Sequence, residues 1–123
     1  MMTLLLFAAM AAGQVDNPAV VVSDAIEQRD VAYDTLAAGE AQAAVERLEA
    51  LRAENPDDPA LLINLGSAYA ELQQLDRAEA MFRAAAASQV RYQLELADGS
   101  WVDSRRAAQT ALRQLRDRAV ALN

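Results

Sequence analysis

The sequence predicts an all-α protein: two stacked helical hairpins at about 24–54 and 59–88, a short β-hairpin or ordered loop at about 92–102, and a C-terminal capping helix at about 104–120. Three observations carry that reading. Leu65, Tyr69 and Leu72 recur at helical spacing, as do Ala78, Met81, Phe82 and Ala85. Gly66, Ala68 and Ala78 put small side chains where two such helices must touch, and a glycine inside a helix costs propensity that only a close neighbour justifies. Asn55-Pro56-Asp57-Asp58-Pro59 interrupts the pattern midway, a run that no helix continues through.

Taken in order, the chain opens on Met1 to Ala12, an apolar run ended by small residues. It is shorter than the ~20 residues that a membrane span needs. This is the pattern of a signal peptide over residues 1–13, cleaved after Ala11 or after Gly13, although only the free amine supplies positive charge ahead of Thr3. An uncleaved anchor and a buried apolar helical turn are the alternatives. The expected location is periplasmic or secreted, with no stable membrane span after processing, and cytoplasmic if the segment is not a signal. Residues 14–23 contain Ala19-Val20-Val21-Val22 and read as an extended segment, either a strand beside the later hairpin or a tail lying on the first helices.

Helices are expected at about 24–38, 41–54, 59–72 and 76–88. Asp24 with Glu27, and Asp76 with Glu79, have the spacing of a capping box. Gly39 is the residue best able to leave a helix through positive φ. Asp58 followed by Pro59 supplies an acceptor cap and a first helical residue whose missing N–H costs nothing there. After Ser88 the period changes. Tyr92-Gln93-Leu94-Glu95-Leu96 alternates apolar with polar, and Asp98-Gly99 is a two-residue turn signal that would set Leu96 opposite Trp101. The rival reading is an irregular loop pinned by Trp101. Asp103-Ser104 then caps a last helix with Ala108, Ala111, Leu112, Leu115 and Ala119 on one stripe and Arg105, Arg106, Arg113, Arg116 and Arg118 mostly off it.

Leu62-x-x-Leu65-Gly66-x-x-Tyr69 followed by Ala78-x-x-x-Phe82 resembles the tetratricopeptide repeat, with Leu62 where that family has Trp and Val90 where its closing Pro would fall. One family period of 34 residues earlier, Ala44, Leu48 and Pro56 fall under Ala78, Phe82 and the closing position, which marks a degenerate earlier unit. The resemblance implies repeats at 25–58 and 59–92 inside a domain of 24–123, with 93–123 as terminal hairpin and cap. It also implies a concave groove lined by the first helix of each repeat, which nominates Arg29, Tyr33 and Leu36 from the earlier unit and Ile63, Ser67, Ala70 and Glu71 from the later one. The lysine and asparagine pairs with which some members grip acidic chaperone tails have Ile63 and Ser67 at the matching positions here, so that clamp is not expected.

The functional expectation is a non-catalytic adaptor or scaffold that binds a peptide or protein segment in this groove. The alternative is a structural or homo-oligomerisation module using the same surface. The chain has no His and no Cys, which removes the commonest general base, thiolate nucleophiles and the usual zinc ligands. No cofactor or metal is expected, and no Gly-rich phosphate loop exists among 4 glycines. Lysine is absent and all 11 basic residues are arginine, a pattern that, with 29 alanines in 123 residues, looks like a GC-rich bacterial genome. Residues 1–102 carry 16 acids against 6 arginines, a balance of −10, whereas residues 103–123 carry 5 arginines against 2 acids, or +3. Nucleic acid is therefore not an expected partner, because most of the molecule repels a phosphate polymer. The arginine-rich helix reads either as a solvated face or as a patch for an acidic partner.

Overall fold

The computed structural model describes residues 20–21, 39–91, 93–96 and 99–122. In chain order these form β1 (Val20–Val21), α1 (Ala41–Glu54), α2 (Pro59–Glu71), α3 (Leu75–Ala87), β2 (Gln93–Leu96), β3 (Trp101–Asp103) and α4 (Ser104–Leu122). Observed helix boundaries fall within about two residues of the expected ones, apart from the helix at 24–38 and its Asp24–Glu27 cap, which lie outside the described residues.

Each described helix is explained by its apolar spacing. On α1, Ala41, Ala44, Val45 and Leu48 form one buried stripe, and on α3 Ala78, Met81, Phe82 and Ala85 do the same. The central helix is different. From Pro59 through Ala70 every residue of α2 is buried, so this helix has no solvent face. It packs against α1, α3, α4 and β1, and α4 in turn lies along α3. A helix that is apolar nearly all round belongs in a core.

The contact between α2 and α3 turns on one glycine. A Cβ on Gly66 would come within 2.5 Å of Phe82 Cε1 and 2.7 Å of its Cδ1. Only hydrogen fits there. One turn along α2, the Tyr69 hydroxyl donates to Glu49 Oε2 of α1 at 2.5 Å, while the Arg77 guanidinium of α3 lies 5.7 Å from the Tyr69 ring centroid. One phenol therefore bridges α1, α2 and α3, and burial first, with the adjoining Glu49 carboxylate second, holds its pKa above the ordinary value.

Boundaries follow local chemistry, with one correction. Asp58 caps α2, its Oδ1 accepting from the Ala60 and Leu61 amides at 3.1 and 3.4 Å, with Pro59 at the first helical position. Gly39 has φ +80° just ahead of α1. Asp76, expected to cap α3, does not: the cap position is Gln74, which makes no side-chain cap bond, and Asp76 sits in the first turn. The reason is the turn before it. Gln73 takes φ 63°, its amide bonding the Ala70 carbonyl and that of Gln74 the Tyr69 carbonyl, so the chain has already re-entered a helix by Leu75. Asp76 then serves only as a negative charge near a helix N-terminus.

The β-hairpin forms, and β1 joins it, giving an antiparallel sheet in the order β1-β2-β3. Its register differs from the expectation by one residue. Trp101 stands opposite Glu95, not Leu96, and Leu94 stands opposite Val102. β2 ends at Leu96 and β3 begins at Trp101, and between them Gly99 has φ +89°. A left-handed glycine suits longer hairpin connections as well as the two-residue turn. Because side chains alternate, the slip exchanges the faces. Leu94 is fully buried and Val102 packs on the core, whereas Trp101, expected to face the helices, is 56 % exposed.

Hydrogen bonds tie the hairpin and α4 to the repeat. The Ser88 hydroxyl donates to the Asp57 carbonyl at 2.6 Å and accepts from the Val90 amide, while Arg105 Nη2 donates to the Ser88 carbonyl at 3.1 Å. Asp103 caps α4, its Oδ2 accepting from the Arg106 amide at 3.2 Å.

Candidate functional site

The nominated groove residues divide into three groups. Ile63, Ser67 and Ala70 are buried at 0 %, 1 % and 3 % exposure, Glu71 is exposed, and Arg29, Tyr33 and Leu36 lie outside the described residues. The face of α2 that the resemblance would leave open is thus covered in this chain. At Ala70 one covering group is identifiable, since Arg118 Nη2 of α4 donates to its carbonyl at 3.3 Å. Ser67 Oγ is buried without a hydrogen-bond partner, an uncommon state for a hydroxyl in a core. Helical spacing alone put these residues on one side of α2 and did not reveal that α4 and β1 also pack on that helix.

A second surface involves the arginine-rich last helix, which the sequence left open between a solvated face and a patch for an acidic partner. An open cleft of about 530 Å³ lies where the hairpin meets α4, lined by Arg91, Asp103, Arg105, Arg106, Gln109 and Arg113 among others. Arg91 grips Asp103 at two points, Nε to Oδ1 and Nη2 to Oδ2, each 3.1 Å. That pairing holds the Asp103 carboxyl below its ordinary value, with amide donation from Arg106 assisting. Arg106 and Arg113 are exposed and form no ion pair with any described acid, and Arg113 donates to the neighbouring Thr110 hydroxyl at 3.4 Å. The signal in the sequence was the reversal of charge after residue 102. What it lacked was the register that turns Trp101 outward.

Among the described residues no group of three or more His, Cys, Asp or Glu side chains comes together. A second cleft, of about 590 Å³, lies on the α2–α3 turn between Gln73 and Arg77 and brings no nucleophile to a base. Among the described residues no helix is long and apolar enough to cross a membrane.

Compared with known families, the chain matches the model of the tetratricopeptide repeat over residues 35–97, just over half its length. None of the curated proteins and none of the solved structures matches.

Proposed function

The chain belongs to the tetratricopeptide repeat family, and from that premise we propose that it is a non-catalytic adaptor holding a peptide or protein segment of a larger partner. Repeats of this kind generally mediate protein–protein interaction. The observation that carries the reading is the family match over residues 35–97 together with the packing it covers, α1 and α3 set against α2 with Gly66 beneath the Phe82 ring. A non-catalytic role also agrees with a chain that has neither His nor Cys.

Groove contact through Ile63, Ser67 and Ala70 requires displacement of what covers them, whereas Glu71 already stands at the surface. The unpartnered Ser67 hydroxyl gives that displacement a small incentive, since an incoming segment can satisfy it. An envelope location belongs to the same proposal and rests on the apolar run at residues 1–13, which lies outside the described residues.

A photo-crosslinking side chain at Glu71 tests the adaptor reading. The expected result is a discrete crosslinked partner from the envelope fraction, competed away by unlabelled protein. If the only crosslinked species is a second copy of the chain, and light scattering shows a dimer that persists on dilution, the self-association alternative replaces it.

A further inference from the structure

The cleft at the hairpin–α4 junction is lined by arginines around Asp103, and the strand that supplies Asp103 also carries the exposed Trp101. Trp101 and Asp103 are alternate residues of β3, so their side chains share the face opposite Leu94 and Val102, about 7 Å apart along the strand. Asp103 anchors Arg91 and caps α4, and Arg105 is fixed on the Ser88 carbonyl, so the floor of the cleft is held by bonds already made. Beyond that floor Arg106 and Arg113 project from one face of α4, two turns apart. Seven residues of helix place them about 10.5 Å apart. Trp101 stands outside the lining of the cleft, two residues along β3 from Asp103 and opposite Glu95, so an exposed aromatic adjoins the arginine cluster, and tryptophan and arginine are the residues that dominate protein interfaces.

We propose that this surface binds a short acidic segment of a protein partner, its carboxylates on Arg106 and Arg113 and an apolar side chain of the same segment against Trp101. The proposal rests on the reading of the chain as a protein-binding module and names the chemistry of a contact outside the nominated groove. Charge complementarity selects the occupant. The cleft is positive, with four arginines around Asp103, yet residues 1–102 carry a balance of −10. A long polyanion or an extended anionic surface meets that excess, whereas a segment a few residues long stays within the reach of the arginines, because screening confines their field to about 8 Å at physiological salt. Two carboxylates on one face of a polyproline-II chain, three residues per turn at about 3.1 Å each, are about 9 Å apart when three residues separate them. The preferred ligand is therefore a polyproline-II-like segment with acids at every third position and apolar residues between.

Trp101 is the one tryptophan in the chain, so its emission reports on this surface alone. The probe is a short acetylated and amidated peptide repeating Glu-Leu-Ala, titrated into the full protein beside a Gln-Leu-Ala control. The expected result is a saturable blue shift with the glutamate peptide, absent with the glutamine peptide and diminished by added salt. The double substitution Arg106→Gln, Arg113→Gln should weaken binding about tenfold, two exposed charge pairs each being worth up to about a factor of five. Unchanged circular dichroism checks that the variant is folded, as expected for two exposed side chains without acidic partners. Equal binding of the glutamine peptide, or unaltered binding by the double variant, overturns the proposal. So does a shift produced by anionic phospholipid vesicles, a DNA duplex or raised protein concentration when the peptide produces none. Any of these results leaves the Glu71 crosslink to decide the adaptor reading on its own.

Discussion

At Gly66 the residue and its neighbour leave no latitude. The Phe82 ring occupies the space a methyl group would take, and Phe82 is itself buried, so it has nowhere to swing. Gly66→Ala should destabilise by about 1–3 kcal/mol through overpacking, more than the roughly 1 kcal/mol that alanine gains in helix propensity. Thermal unfolding followed by circular dichroism measures it, and Phe82→Leu on the Gly66→Ala background should recover part of the loss. An unchanged midpoint would contradict the close approach. This position was legible in the sequence because a glycine in a run of helix formers needs a reason. Trp101 was not: its orientation depends on a one-residue choice of register between β2 and β3, which Asp98-Gly99 does not decide. Asp76 misled for a related reason, since capping-box spacing does not register a preceding residue, Gln73, held at positive φ.

Among the elements, the open end of the hairpin is closed by charge, Arg91 ahead of β2 pairing with Asp103 at the end of β3. The Asp103 carboxyl is held below its ordinary 3.8, first by the hydrogen bond from Arg91. A carboxylate with a depressed folded pKa contributes stability that is present above its unfolded value and lost as pH falls through the folded one. Acidification from pH 5 to below pH 3 should therefore loosen the open end of the hairpin and change the environment of Trp101. Tryptophan emission should show a step in that range that Asp103→Asn lacks. The pair is exposed, so the effect on global stability is small and the local signal is the one to follow. Helix positions were largely readable from apolar spacing, as on α1 and α3. The groove on α2 was not, because the pattern that identifies a buried helix looks the same whether two or four elements surround it.

For the molecule as a whole, α4 completes the core. Ala107, Ala108, Ala111, Leu112 and Leu115 are buried with the residues of α2 and α3, and Leu94 of the hairpin joins the same cluster. Removing residues 104–123 should strip that side and abolish cooperative unfolding, with binding of a hydrophobic dye at room temperature. A sharp melting transition in the shortened chain would show instead that α4 is an accessory. Terminal helices of repeat arrays commonly have this sealing role, and the sequence announced it through an apolar stripe with arginines off it. The enclosure of α2 has a further consequence, for evolutionary change. From Pro59 to Ala70 the rod offers no position where a substitution is free, so adaptation to new ligands is channelled to Glu71 and to the outward sides of α1, α3 and α4.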